Sequence, residues 1–332
     1  MTSILPIRRL ASRAGEEVSL QGWLFNRRGK GGLLFLLVRD GTGIAQCVVA
    51  KDKVAEDVFA RAETLTQESS LKVTGTVKLD DRAPGGAELA VSDLEITQIA
   101  APYPITKKEH GPGFLMDNRH LWLRSKRQSA LMRVRSRVIQ AFRDYLDGEG
   151  FHCMDSPVFT PNACEGTSTL FETDYFGNPA FLTQSGQLYA EASVMALGKV
   201  YCFGPVFRAE QSKTRRHLTE FWMLEPEIAW AGLDEICDLA EGLVRHAIRE
   251  VLEKCAPDLA DLDRDPAILE AWNQDWPRMT YDEVAVLLAG WQKDGGHESD
   301  FQAGDDLGAP DETALGEHFG CPVMVTHWPV ET

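Results

Sequence analysis

No apolar run in these 332 residues approaches the roughly 20 needed to cross a bilayer, so neither a membrane-spanning helix nor a membrane partner is expected. Paired cysteines are missing too. The seven cysteines, Cys47, Cys153, Cys164, Cys202, Cys237, Cys255 and Cys321, are odd in number, dispersed and never spaced as C-x-x-C. That argues against a disulfide framework and a zinc site of paired thiolates, and points to buried thiols in a reducing compartment. The Gly- and Asp-rich stretch 290–309 holds Asp300, Asp305 and Asp306 without the spacing of a calcium loop, so no metal site is read there. The N-terminus, MTSILPIRRLASRAG, has adjacent arginines but an apolar part too short for a secretory signal, and reads as the ordinary start of a cytoplasmic protein.

Positive charge is scarce in one region only. Residues 221–332 carry 6 Lys and Arg against 25 Asp and Glu, whereas residues 1–220 carry 28 against 25. The net charge of −16 therefore sits in the last third, and the first two thirds remain able to face a phosphate backbone. An apolar content of 44% and a charged content of 25% are ordinary for a soluble globular protein, and the length suffices for two domains with a sizeable core.

Within residues 1–100, Val18 to Leu24 alternates, LLFLLV from Leu33 is a continuous apolar run, and Ile44 to Val49 follows the turn Asp40-Gly41-Thr42-Gly43. A helical segment spans Lys53 to Leu65, Leu71 to Val77 alternates again, and a last strand runs near Leu89 to Ile99. Three strands, a helix and two strands predict an all-β domain of the OB-barrel type, although other small barrels share the pattern. Such barrels bind single-stranded nucleic acid by stacking bases on aromatics along a basic groove. The candidates are Arg28 within NRRGKGG, Phe35 and Gln46. A core role for Phe35 and a solvated turn for Arg27 and Arg28 are the structural alternatives.

The stretch APYPITKKEHGPGF, punctuated by Pro and Gly, reads as a linker within 101–125. Beyond it, Leu131, Val134, Val138, Phe142 and Tyr145 lie at helical spacing, with Arg133, Arg135, Arg137 and Arg143 largely off that stripe, which predicts a core helix with a solvated basic side, direct RNA contact by those arginines being the alternative. Asp234 to Cys255 is a second amphipathic helix. Between them, two apolar strands, Val200 to Phe207 and Phe221 to Trp230, flank the loop RAEQSKTRRHLTE. Arg208, Lys213, Arg215, Arg216 and His217 there make a basic tip sized for a polyphosphate, since guanidinium groups match phosphate oxygens bidentately. Phe221 offers a flat face for a base. An ordinary solvated hairpin tip is the competing reading.

The spacing FRAExSxTxRHxxEF resembles motif 2 of the class II aminoacyl-tRNA synthetases that charge aspartate, asparagine and lysine. GWLFNRRGKGGLLFLLVRDGTGIAQCVV resembles the anticodon-binding barrel of that subgroup, and KKEHGPGFLMDNRHLWLRS the hinge of its asparaginyl members. The resemblance implies an α+β protein: an OB-fold barrel over 1–100, a hinge over 101–125, and a class II catalytic domain built on an antiparallel sheet over 126–332. It implies that Phe35 and Gln46 read the middle uridine of the anticodon. It makes GFHCMDSPVFTP motif 1, with Pro157 at a homodimer interface. Glu165 would lie on the loop that closes over the amino acid, and Gln187 would bind its backbone end. Arg208 would hold the ATP α-phosphate and the incoming carboxylate, Glu210 would face adenosine or the reacting groups, Arg216 and His217 the outer phosphates, and Phe221 would stack on adenine. The implied substrates are asparagine, ATP and tRNA(Asn), with Mg2+ accompanying ATP on ligands outside this sequence.

Three positions after Gln187, aspartate enzymes carry a lysine for the substrate carboxylate. Here the residue is Ala190. Without that cation a buried carboxylate would lie unpaired, at several kcal/mol, so a carboxamide suits the site better. Glu191 would accept from the carboxamide and repel a carboxylate, unless it is a plain surface helix residue. The resemblance ends within the catalytic domain: the magnesium-binding carboxylates and motif 3 are absent and no GxGxxxR occurs. This fits a fragment or a shorter natural protein, so that activity of these 332 residues alone is not implied. The alternatives are a non-catalytic tRNA-binding paralogue and an aspartyl enzyme of relaxed specificity; an asparagine-synthesising paralogue is opposed by the barrel.

Overall fold

The structure, a computed structural model, describes residues 4–164, 170–211, 217–293, 295–296 and 299–330. Residues 1–129 and 130–332 form two compact units. In the first, β1 (Glu17–Lys30), β2 (Leu33–Arg39), β3 (Ile44–Ala50), β4 (Ser70–Leu79) and β5 (Ala87–Gln98) close into a barrel of order β1-β2-β3-β5-β4, with α1 (Glu56–Thr64) between β3 and β4. Alternation builds it. Leu34, Leu36 and Val38 of β2 point inward with Ala45, Cys47 and Val49 of β3, and α1 adds Val58, Phe59 and Ala62 to the same core. Gly22 and Gly75 sit where strands approach most closely. A Cβ there would come within 2.2 Å of the Arg39 or Ala90 carbonyl oxygen. The chain then runs through the short helices α2 (Pro112–Asp117) and α3 (Arg119–Trp122), so the hinge stretch 101–125 lies in the same compact unit as the barrel.

The second unit opens within α4 (Lys126–Gly148), which leads into β6 (His152–Cys153), β7 (Phe159–Thr160), β8 (Glu172–Tyr175) and β9 (Asn178–Leu182). Next come α5 (Gln187–Leu197), the antiparallel pair β10 (Lys199–Phe207) and β11 (Glu220–Ile228), and α6 (Leu233–Lys254). The helices α7 (Ala256–Asp261) and α8 (Pro266–Trp272) follow. Last, β12 (Arg278–Thr280), α9 (Tyr281–Lys293), α10 (Ala309–Phe319) and β13 (Met324–Thr326) pack on Tyr281, Val284 and Leu288. β6 joins β10 in parallel, giving the order β11-β10-β6, and β7-β9-β8 form a separate antiparallel sheet.

Strand periodicity gives β10–β11 two faces. Tyr201, Phe203, Leu224 and Ile228 pack on Leu146 of α4 and Leu243 of α6, while Val200 on the other face meets Ala190 and Val194 of α5. The basic side of α4 differs from the expected solvated one. Arg133 pairs with Asp258 at 2.7 Å and Arg137 with Glu250 at 2.6 Å, because α6 and α7 present carboxylates to it. Leu131, expected on the buried stripe, is exposed within this chain; Ala130, Ala141 and Leu146 are the buried positions.

Candidate functional site

A polar cluster on the outer surface of the barrel is built around Gln46. Phe35 lies opposite Arg28 across the β1–β2 ladder and alternates out of the core, so it is not a core aromatic; the Arg28 guanidinium sits 5.3 Å from its ring centroid. Gln46 also faces outward on β3 yet is only 6% exposed, because its polar partners cover it. Arg28 Nη2 donates to its Oε1 at 2.8 Å, and its Nε2 donates to Glu88 Oε2 at 3.0 Å across the parallel β3–β5 pairing. An amide so held has a fixed orientation and retains one acceptor lone pair beside one N–H. That edge complements a base offering N–H next to C=O, which is the pattern of uracil. Arg27 serves another purpose, donating to the carbonyls of Ala62, at 3.1 Å, and Glu63 at the end of α1.

In the second unit the site face of β11 carries Phe221, Met223, Glu225 and Glu227 at alternate positions. Arg208 extends β10: its N–H donates to the Thr219 carbonyl at 2.9 Å, its Nη1 donates to the Gln184 carbonyl at 2.7 Å, and its guanidinium lies 5.9 Å from the Phe221 ring centroid. The structure thus brings together the cation and the aromatic of the ATP reading. Glu210 and His217 are exposed on the same loop, while Arg216, and Glu165 of the amino-acid loop, lie outside the described residues.

Glu225 reaches the start of α5. It accepts the Gly186 N–H at 3.0 and 3.2 Å and the Ser185 hydroxyl, doing from another strand what a capping side chain does locally. Gln187 Nε2 donates to Glu191 Oε1 at 2.8 Å, and Ala190 is fully buried beneath. Burial, reinforced by Glu191 and Glu225, holds the Glu227 carboxyl above the usual range. Carboxylates converge here from two elements. Such a cluster repels a further carboxylate and can accept from an amide NH₂. Sequence reasoning did not single out Ser185, Glu225, Glu227 or Glu88. The alternation starting from Phe221 was the available signal for Glu225 and Glu227; Glu88 had none, since β3 and β5 pair across 42 residues.

Pro157 is exposed on the segment before β7, and Val158 and Phe159 beside it are also exposed, the latter with Tyr175 at 6.4 Å between ring centroids. A cavity of about 680 Å³ between α8 and α10 is lined by Trp272, Ile268 and Cys321 among others and contains none of the candidate residues. No described helix is long and apolar enough to cross a membrane, and among the described residues no three His, Cys, Asp or Glu side chains are placed to hold a metal ion.

Residues 112–332 match the family described as tRNA synthetases class II (D, K and N), and residues 18–97 match the OB-fold nucleic acid binding domain. The asparagine–tRNA ligase of Koribacter versatilis is 52% identical over 328 residues, covering 98% of this chain and 74% of the relative. That of Pelotomaculum thermopropionicum is 50% identical over 325 residues, with coverage of 98% and 74%. Among solved structures, the asparaginyl-tRNA synthetase of Pyrococcus horikoshii complexed with asparaginyl-adenylate superposes with a TM-score of 0.89 at 40% identity, covering 99% of this chain and 75% of that one. The Entamoeba histolytica enzyme, also with asparaginyl-adenylate, gives 0.81 at 27% identity, covering 100% and 76%.

Proposed function

Because this chain belongs to the class II tRNA synthetases, and among them to the asparagine–tRNA ligases, we propose that it activates asparagine with ATP and transfers it to tRNA(Asn). The observation that carries the choice of amino acid is the carboxylate cluster beside α5, where Glu191 and Glu225 act on Glu227 and the position of a carboxylate-pairing lysine is the buried Ala190. In the first step an asparagine carboxylate oxygen attacks the α-phosphorus. The bond from that phosphorus to the bridging oxygen breaks, and the electron pair leaves with pyrophosphate. Charge grows on the α-phosphate oxygens, where Arg208 is directed by the Gln184 carbonyl, and Phe221 supplies the ring for adenine. Arg216 and His217 take the outer phosphates. In the second step a terminal ribose hydroxyl of the tRNA attacks the mixed-anhydride carbonyl and AMP leaves. No side-chain nucleophile is needed. Mg2+ arrives with ATP as part of the substrate, and no described residue is assigned to it.

The barrel unit reads the anticodon through Phe35, Gln46 and Arg28. The exposed Val158 and Phe159 next to Pro157 support a two-fold homodimer through that segment, and the proposed compartment is the cytoplasm. The deciding experiment is ATP–pyrophosphate exchange by the full-length protein with asparagine or aspartate, followed by charging of tRNA(Asn). Exchange with asparagine alone is expected; equal exchange with aspartate would overturn the pocket assignment. For the dimer, Phe159→Asp should yield a monomer by light scattering, and an unchanged mass would remove that surface from the interface.

A further inference from the structure

The linker of residues 101–125 is rich in Pro and Gly, the composition of a loose connection, yet two points along it are fastened. The Tyr103 hydroxyl donates to the Leu121 carbonyl at 2.9 Å, folding the linker back on itself. At its far end Arg124 Nη1 donates to Glu68 Oε2 at 3.0 Å, and the same oxygen accepts from Arg39 Nη2 at 2.9 Å. Arg39 Nη1 in turn donates to the Arg124 carbonyl at 2.6 Å and stacks its guanidinium 5.7 Å from the Trp23 ring centroid.

The carboxylate at the centre is unusual for a loop residue. Its side chain is 3% exposed, and its backbone is left-handed, with φ at 68°, in a residue that is not glycine. The barrel holds it there: the Glu68 N–H donates to the Leu24 carbonyl at 2.7 Å, and the Leu24 N–H donates to the Ser69 carbonyl at 2.8 Å. This is where the β1 register shifts, between Leu24 and Asn26. A buried carboxylate in a strained backbone, shared by an arginine of the barrel and one of the linker, does nothing for the reading surface made by Arg28, Phe35 and Gln46. Arg124 lies two residues before α4 begins.

We propose that Glu68, Arg39 and Arg124 form a clasp that stiffens the exit of the chain from the barrel, making Glu68 and Arg124 positioning residues for tRNA. The proposal rests on the tRNA ligase reading. One tRNA engages both the barrel, through its anticodon, and the catalytic unit, through its 3′ end. Once one end is bound, the second contact is intramolecular, and its effective concentration depends on how stiff the connection is. A tied linker holds that concentration high; a free one dilutes it over many directions.

The test uses the full-length protein with Arg124→Ala, Glu68→Gln, the double variant and Arg124→Lys. Three quantities are measured: affinity for whole tRNA(Asn), affinity for the isolated anticodon stem-loop, and asparagine-dependent ATP–pyrophosphate exchange. The expected result is a loss of about tenfold in whole-tRNA affinity and a matching rise in KM for tRNA in charging. Stem-loop affinity and exchange should stay unchanged. The double variant should be no worse than Glu68→Gln alone, since that substitution already removes the charge that Arg124 pairs with. Arg124→Lys, which keeps a cation in reach of Glu68, should recover part of the loss. Unchanged whole-tRNA affinity in both single variants overturns the proposal, as does stem-loop affinity that falls by the same factor, which would mean that the clasp only keeps the barrel folded. A wild-type protein that bound tRNA but charged it with another amino acid would overturn the functional reading instead and leave the clasp standing.

Discussion

Replacing Phe35 with alanine is expected to weaken binding of the anticodon without changing which base is preferred. The ring stands on the outer barrel face opposite Arg28, with the guanidinium 5.3 Å from its centroid, so one edge of a base platform is already assembled. Stacking of a base on such a ring is worth about 1–3 kcal/mol. At about 1.4 kcal/mol per factor of ten, the stem-loop dissociation constant should rise about 5- to 150-fold. Loss of the cation–π contact adds about 0.5–1 kcal/mol to the cost in stability, below the scale of a fully buried Phe→Ala change, so the barrel should stay folded. The assay is titration with two anticodon stem-loops, one with U and one with C at the middle position. Every base has a π-face, so Phe35→Ala should weaken both alike and leave their ratio intact. Gln46→Ala should do the opposite. It removes the oriented amide between Arg28 and Glu88 and should shrink the U-to-C ratio more than the affinity. A Phe35→Ala protein with unchanged affinity, or one in which the ratio moves while affinity does not, would refute the division of labour between ring and amide.

The remaining predictions concern the second unit and the thiols. Arg208→Ala should reduce asparagine-dependent pyrophosphate exchange about 10²- to 10³-fold in the full-length protein, with Arg208→Lys recovering little because the planar fork is lost; near-normal exchange would sink the ATP assignment. Burial together with Glu88 pushes the Cys47 thiol up to about 12, so a thiol reagent under native conditions should label the exposed Cys153 and leave Cys47 unmodified until denaturant is added, as read by peptide mass. Folding raises the Glu227 pKa, so its penalty is absent below the ordinary carboxyl range and grows as pH rises through the folded value. Glu227→Gln should therefore raise Tm relative to the parent at about pH 8 and lose that gain at about pH 4, whereas an equal gain at both would mean that the carboxylate cluster is not the cause.

What the sequence made legible was periodic. Val18 to Leu24 and Leu71 to Val77 alternate and so read as strands of a barrel, whereas LLFLLV is apolar throughout, and only the fold shows Leu34, Leu36 and Val38 turned inward with Phe35 and Leu37 outward. Arg27 and Arg28 show where it fails. Adjacent in sequence, they leave β1 in opposite directions, one to the carbonyls of α1 and the other to Gln46, and which goes where depends on the register shift between Leu24 and Asn26. No local pattern records such a shift.

Charge pairing across distance is the second failure. The Arg133 and Arg137 side of α4 reads as solvated because its partners, Asp258 and Glu250, lie more than a hundred residues downstream. Glu68 reads as one more acid in a polar loop because its partners are 29 and 56 residues away, and Glu225 is 40 residues from the Ser185 hydroxyl that it receives. The residues named from motif resemblance, Arg208, Gln187, Phe35 and Gln46, are those that would touch substrate. Glu88, which holds Gln46, and Glu225, which holds the start of α5 as well as joining the carboxylate cluster, appeared only in the fold, while Glu191 was left undecided before it between substrate contact and surface. A side chain that contacts a ligand must be of one chemical type at one spacing, whereas its supporter need only reach it, from any element the fold brings close. Substitutions at the supporting positions should accordingly change preference and orientation before they abolish activity, which makes Glu88 and Glu225 the more informative places to vary specificity.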